Sequence, residues 1–133
     1  MARPALNRPT DAEMAILQVL WERGPRTVRE VHDALRDSRP AGYTSVLKIM
    51  QIMTEKGLLR REQAARSHVY RPAQTREKTQ RRIVGDLLDR VFGGSARALV
   101  LQALSAKKTS PRELAQIRKL LDEFENTSAG GTP

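Results

Sequence analysis

The 133-residue sequence predicts a mainly α-helical protein with one β-hairpin in its middle. Apolar residues recur at helical spacing in six segments, and most of these segments follow a residue that can cap a helix. Between the third and fourth segments the pattern changes to two short, partly alternating runs that are typical of strands. We therefore expect a first domain over residues 1–74, a helical lobe over 75–125 and a disordered tail over 126–133.

The first two helices are predicted by capping boxes. Thr10 is followed three residues later by Glu13, and Gly24 ends the apolar pattern that starts there. Thr27 and Glu30 repeat this spacing before a shorter apolar stripe. In a capping box each side chain binds the backbone N–H of the other residue, so N–H groups that a helix start leaves unpaired are satisfied. Both starting points are therefore predicted from a few neighbouring residues.

A third helix is predicted over residues 43–56, with Gly57 as its stop. Its two sides differ in character. The apolar side consists of Val46, Ile49, Met50 and Met53. The polar side consists of Thr44, Lys48, Gln51 and Glu55. We expect the apolar side to be buried and the polar side to be available to a partner.

A β-hairpin is predicted after the third helix. Residues 58–63 and 67–71 are its two strands, and Ala64-Ala65-Arg66 connects them. None of the three connecting residues is Gly or Asn, so the sequence argues against a type I′ turn. The hairpin carries a basic residue, Arg66, at its tip.

Three further helices are predicted in the C-terminal part of the chain. Thr75, Ser95 and Ser110 can each cap one of them, and Gly93-Gly94 separates the first from the second. A lobe of about 50 residues is marginal for an independent core, so we expect its apolar residues to form a homodimer interface. These residues are Val84, Leu87, Leu88, Val91, Leu101, Leu104, Leu114, Ile117, Leu121 and Phe124. The alternative is that the three helices pack onto the first domain within a monomer.

The charge of the chain is concentrated in its first part. The sequence has 24 Lys and Arg residues and 15 Asp and Glu residues, a formal net charge of +9. Residues 1–82 contain 17 basic and nine acidic residues, whereas residues 83–133 contain seven and six. A basic surface kept only for solubility would be spread over both parts. The distribution therefore favours a polyanionic partner, and nucleic acid is the most common one in a cytoplasm.

Three helices followed by a hairpin is the element order of a winged helix-turn-helix domain, which lays one helix in the major groove of double-stranded DNA. The polar side of the third helix and the basic hairpin carry donors for base edges and phosphates. The predicted DNA-binding residues are Tyr43, Thr44, Ser45, Lys48, Gln51, Arg60, Arg61, Arg66 and Arg71. The alternative is that the polar residues of the helix only cap and solvate a surface helix.

Catalysis and metal binding are disfavoured by the residue types that the sequence lacks. There is no cysteine, which excludes disulfides and thiolate metal sites. His32 and His68 lie far apart in the sequence, and there is no nucleophile motif or phosphate-binding glycine loop. We therefore expect no enzyme activity, no cofactor and no metal. Because the sequence shows no export signal and no membrane-spanning apolar segment, we expect a cytoplasmic protein.

Several stretches together resemble the penicillinase and methicillin-resistance repressors of the BlaI/MecI type. The resemblance spans residues 9–124. Its main stretches are Pro9-Thr10-Asp11-Ala12-Glu13, Leu20-Trp21, Thr27-Val28-Arg29-Glu30-Val31, Tyr43-Thr44-Ser45-Val46, Glu55-Lys56-Gly57-Leu58-Leu59, Val69-Tyr70 and residues 86–95. The resemblance implies a bacterial homodimeric repressor with an N-terminal winged helix and a C-terminal dimerisation lobe. It also implies a membrane sensor protease as a partner, since such repressors are often paired with one.

The chain departs from the pattern of that family in two elements and at the cleavage bond. Ile52 stands where the family usually has a basic residue on the third helix, and Ala65 replaces the usual glycine of the hairpin. In staphylococcal members the sensor protease cuts an Asn-Phe bond in the fifth helix, and the matching residues here are Gln102 and Ala103. Although these two residues differ from Asn-Phe, the resemblance implies that repression is relieved by cleavage near Gln102 and Ala103.

A second interpretation is that the domain binds nucleic acid without sequence preference, or serves as a protein-interaction module. The two interpretations differ in one measurable quantity, the ratio of the affinities for an operator and for a scrambled duplex.

Overall fold

The computed structural model describes residues 8–131, and side chains over residues 8–127. This range contains six helices and one two-stranded sheet, so the predicted mainly helical class is confirmed. The elements are α1 (Asp11–Arg23), α2 (Val28–Ala34), α3 (Tyr43–Glu55), β1 (Leu59–Ala64), β2 (Ser67–Pro72), α4 (Arg76–Arg90), α5 (Ala96–Ala106) and α6 (Pro111–Gly131). The first seven residues of the expected first domain and the last two of the expected tail lie outside the described residues.

Five of the six described helices begin at the capping residues that the sequence predicts, and α3 begins after Gly42 without a side-chain cap. Thr10 Oγ1 accepts the Glu13 N–H at 3.1 Å, and Glu13 Oε1 accepts the Thr10 N–H at 2.9 Å. The corresponding distances between Thr27 and Glu30 are 3.2 and 2.9 Å. Three further hydroxyls accept backbone N–H groups at 3.0–3.1 Å and belong to Thr75, Ser95 and Ser110. These starts can be predicted because every partner lies within three residues.

The hydrophobic core is built by α1, α2, α3 and the hairpin. Its buried members are Ile16, Leu17, Leu20, Val28, Val31, Leu35, Val46, Met50, Met53, Leu59 and Tyr70. Three residues of the predicted apolar side of α3 belong to this core, and Ile49 of the same side is half-buried against it. The core therefore fixes which side of α3 faces solvent.

The two strands of the hairpin are joined by a two-residue turn, and one residue outside the hairpin, Arg26, pairs with the second strand. Ala64 pairs with Ser67, so Ala65 and Arg66 form the turn. Ala65 has a φ of 54°, a left-handed conformation that favours glycine. A β-bridge joins Arg26 to Tyr70 through two backbone hydrogen bonds of 3.1 and 2.9 Å. The sequence pattern misses this bridge because a single paired residue has no periodicity.

The chain divides into two compact units, Met1–Arg90 and Val91–Pro133. The first unit therefore continues past residue 74, where the sequence predicts the domain boundary. The connection before α4 explains the difference: the Trp21 indole N–H donates to the Gln74 carbonyl at 3.1 Å, and the Arg76 guanidinium lies 5.7 Å from the centre of the Trp21 ring.

The helix α6 is longer than the sequence predicts. It continues to Gly131, whereas a disordered tail is predicted from residue 126. The Thr127 hydroxyl donates to the Glu123 carbonyl at 2.9 Å, so it is accommodated inside the helix.

Candidate nucleic-acid interface

The exposed side of α3 carries the polar residues that the sequence predicts to bind DNA. Thr44, Ser45, Lys48 and Gln51 are all exposed, opposite the side that enters the core. Residues three and four positions apart on a helix are neighbours, so these side chains form one continuous polar surface. Ile52 lies beside them with 38% of its surface exposed. The resemblance described above leads us to expect a basic residue at this position. The fold therefore leaves one side of α3 exposed to solvent.

Tyr43 begins α3 and is held by two residues of α2. The carbon at the centre of the Arg29 guanidinium lies 4.4 Å from the centre of the Tyr43 ring. The His32 ring approaches the same ring edge-on, with the two ring centres 6.2 Å apart. Tyr43 remains 37% exposed. The sequence pattern identifies Tyr43 as a candidate DNA-binding residue. It does not predict the contact of Tyr43 with Arg29, because the two residues belong to different helices.

The hairpin presents its predicted basic residues to solvent. Arg60, Arg61 and Arg71 are exposed on the strands, and Arg60 lies directly opposite Arg71. Like charges at opposed positions repel each other. An ion pair between Arg71 and Glu62 offsets part of this repulsion. The hairpin is thus a surface with excess positive charge that an anionic partner would neutralise.

Arg66 occupies the tip of the hairpin. Its side chain is exposed, and within residues 8–131 it makes no ion pair or hydrogen bond. The turn that carries it contains Ala65 in the left-handed region. Because two-residue hairpin turns favour glycine at such positions, the turn stores backbone strain that a glycine would not.

An ion pair between an exposed lysine and a buried carboxylate ties the end of α3 to the start of α1. The Lys56 ammonium donates to Glu13 Oε2 at 2.9 Å, and the Glu13 side chain is only 5% exposed. Burial acts to raise the pKa of Glu13, but the hydrogen bond from the Thr10 N–H and the Lys56 ammonium outweigh it, so its pKa is lowered. The pair contributes to the position of α3, although the sequence pattern gives no sign of it.

The residues predicted to form a homodimer interface are incompletely buried throughout. In α4, Val84 is exposed, while Leu87 and Leu88 are half-buried. Over residues 91–127 no side chain is buried. Within this second unit, Leu114 and Ile117 are half-buried, whereas the exposed members of the predicted set are Val91, Leu101, Leu104, Leu121 and Phe124. Val100 and Leu120, exposed at 41% and 50%, add to this apolar surface and are absent from the prediction.

Three further predictions concern α5, metals and membranes. Gln102 and Ala103, the predicted cleavage site, are exposed within α5. His32 lies on α2 and His68 on β2, and across residues 8–131 no His, Asp or Glu side chains are grouped to hold a metal ion. Of the helices described above, none is sufficiently long and apolar to traverse a membrane.

The chain is similar to known proteins over most of its length. The profile of the penicillinase repressor family matches residues 9–123. A protein of Mycobacterium tuberculosis (strain ATCC 25618 / H37Rv) described as transcriptional regulator BlaI is 31% identical over 121 residues, covering 90% of this chain and 87% of that protein. The penicillinase repressor of Bacillus licheniformis is 22% identical over 117 residues, covering 88% and 91%. The crystal structure of transcriptional regulator Tm0710 from Thermotoga maritima superposes with a TM-score of 0.49 at 17% identity, covering 89% of this chain and 75% of that one.

Proposed function

The chain belongs to the penicillinase repressor family, and we propose that it represses transcription as a homodimer bound to a palindromic DNA operator. Its family and relatives are transcriptional regulators and not enzymes. The observation that carries the proposal is the exposed polar side of α3, which lies opposite the buried side and is followed in the chain by the basic hairpin.

The polar side of α3 has the chemistry to read base edges in the major groove, which is wide enough to admit a helix. Lys48 can donate to guanine and Gln51 can bind adenine through its amide. Thr44 and Ser45, in the first turn, can bind base edges or phosphates, and Tyr43 can pack its ring on a sugar or a thymine methyl. These contacts supply sequence preference.

The hairpin arginines supply affinity that does not depend on sequence. Arg66 at the tip binds a phosphate or enters the minor groove, and the strand residues Arg60, Arg61 and Arg71 hold the backbone. Contacts of this kind release counterions, so binding weakens as the salt concentration rises.

A second copy of the chain is the proposed cover for the exposed apolar residues of α4, α5 and α6. These helices carry leucine, valine and phenylalanine side chains that are 36–66% exposed. Burying this apolar surface against a second copy is favourable. A two-fold dimer would place two α3 helices on two half-sites, and for this reason we propose a palindromic operator.

Selection of duplexes tests this function. The full-length protein is used to select from a pool of randomised duplexes about 30 bp long, enough for two half-sites separated by one or two helical turns. We expect inverted repeats, and an affinity for the selected duplex at least about 1,000-fold higher than for its scrambled version. Equal affinities at the same salt concentration would support the alternative, a sequence-independent nucleic-acid-binding protein, and loss of all DNA binding would support a protein-interaction module.

Relief of repression is proposed to follow cleavage near Gln102 and Ala103 by a membrane sensor protease. Cutting α5 would separate α6, with Leu114, Ile117 and Phe124, from the rest of the chain and so remove apolar area from the dimer. Intact mass spectrometry of the repressor from induced cells tests this step. A chain that stays whole while its target genes are expressed would contradict cleavage.

A further inference from the structure

We infer that Arg29 is a further DNA-binding residue, which contacts a backbone phosphate while its stacked guanidinium positions Tyr43. The inference rests on the proposed function and adds a residue of α2 to the predicted interface. The face of the Arg29 guanidinium would contact the Tyr43 ring, and its N–H groups would bind the phosphate.

The stacking is defined by distance and by the surrounding residues. The guanidinium carbon is 4.4 Å from the centre of the Tyr43 ring, well within the range of a cation–π contact. His32, one turn further along α2, meets the same ring edge-on at 6.2 Å. The Tyr43 ring therefore contacts two side chains of α2 at the start of α3, and it has less rotational freedom to lose when it binds DNA.

The edges of the Arg29 guanidinium remain available to a ligand. Arginine has five N–H donors in one plane, and stacking uses the face of that plane rather than its edge. In the part of the chain that the structure describes, no carboxylate pairs with Arg29. Arg36, which follows the end of α2, differs from Arg29 because its guanidinium pairs with Asp33 at 3.0 Å. Arg29 is thus an arginine in contact with an aromatic ring, and its donors have no acceptor among residues 8–131.

The location of these donors points to a phosphate. In helix-turn-helix proteins the helix before the reading helix crosses the DNA backbone. Arg29 lies on that helix, in contact with the first residue of α3, and planar guanidinium groups bind phosphate oxygens through two parallel hydrogen bonds. A phosphate bound there would hold Arg29, and through it Tyr43, at the edge of the groove.

The test compares Arg29→Ala, Arg29→Lys, Tyr43→Ala and the Arg29→Ala/Tyr43→Ala double variant on the selected duplex and its scrambled version. Fluorescence anisotropy over a range of salt concentrations gives affinity and salt slope. We expect Arg29→Ala to bind both duplexes about tenfold more weakly and to lower the salt slope by about 0.9, the value for one phosphate. Arg29→Lys should keep the slope and still lose affinity, since lysine keeps the charge but not the planar group.

The double variant tests the coupling between the two residues. If Arg29 positions Tyr43, the double variant loses clearly less affinity than the product of the two single losses. Arg112→Ala, which removes an exposed arginine at the start of α6, is the charge-matched control and should leave the slope unchanged. Thermal unfolding of each variant identifies any loss that comes from the fold, and Arg29→Lys serves as the milder substitution if Arg29→Ala is destabilised.

The outcomes separate this inference from the proposed function. Wild-type affinity and slope in Arg29→Ala, with weakened binding in Lys48→Ala, would overturn the role of Arg29 and leave the repressor function intact. Losses that multiply in the double variant, or an Arg29→Lys protein that binds like wild type, would overturn the positioning of Tyr43 by stacking. Equal wild-type affinity for the selected and scrambled duplexes would contradict the proposed function itself.

Discussion

Replacing Glu13 by Gln tests how the end of α3 is tied to α1. The Glu13 side chain is 5% exposed and accepts hydrogen bonds from the Thr10 N–H and the Lys56 ammonium, both at 2.9 Å. Glutamine has nearly the same shape and can still accept the Thr10 N–H. The other terminal atom of glutamine is an amide nitrogen, which donates and cannot accept from Lys56, so Glu13→Gln removes the ion pair together with its hydrogen bond and keeps the cap.

The expected loss in the free energy of unfolding is about 1–2 kcal/mol. A hydrogen bond to a charged group contributes about 1.5–3 kcal/mol. Because 51% of the Lys56 side chain is exposed, screening by solvent reduces this contribution. Glu13→Ala also leaves the Thr10 N–H without its acceptor, which adds about 1 kcal/mol. Glu30→Gln is the matched control, since Glu30 closes the same kind of capping box in α2 but is exposed and pairs with no lysine among residues 8–131.

The loss should depend on pH in a defined direction. The folded-state pKa of Glu13 is lowered, although burial acts to raise it, because the Thr10 N–H and Lys56 favour the carboxylate. Such a carboxylate stabilises the fold above its unfolded pKa, and this stability is lost as the pH falls through the folded pKa. Urea denaturation at a fixed protein concentration, from about pH 7 down to about pH 2.5, should therefore bring wild type and Glu13→Gln together. Equal losses for Glu13→Gln and Glu30→Gln, or a difference that stays constant with pH, would refute the reasoning.

Four further predictions concern DNA binding, the dimer and the turn. Lys48→Ala should weaken binding to the selected duplex by about 1–3 kcal/mol without lowering Tm, and wild-type affinity in anisotropy would argue against α3 as the reading helix. Arg66→Ala should weaken binding to both duplexes and lower the salt slope by about 0.9, whereas an unchanged slope excludes a phosphate contact. Joint Leu121→Asp and Phe124→Asp substitution, at residues 54% and 66% exposed, should give a folded monomer in sedimentation velocity and reduce operator affinity by about 100-fold or more. A dimer that persists would contradict the proposed interface. Ala65→Gly should raise the free energy of unfolding by about 0.5–1 kcal/mol because it relieves a φ of 54°, and urea denaturation without any gain would show that the turn is unstrained.

The helix starts and the exposed side of α3 could be predicted because they depend on residues within one or two turns. Thr10 and Glu13 satisfy each other across three positions, and the burial of Met50 with the exposure of Lys48 follows from helical periodicity. The predicted DNA-binding residues of α3 share an exposed side for the same reason, whereas the four predicted arginines of the hairpin are exposed on a different element. Whether they bind DNA, and whether the apolar residues of the C-terminal helices bind a second copy, stay predictions for the experiments above.

The sequence by itself determined the helix caps, the side of α3 that enters the core, the basic hairpin and the family. Only the tertiary structure decided that Lys56 pairs with Glu13, that Arg26 forms a bridge with Tyr70, and that Arg29 stacks on Tyr43. The physical reason is the range of the interactions. Caps and helical periodicity depend on neighbouring residues, whereas these contacts join residues of separate elements that approach each other only when the core has formed.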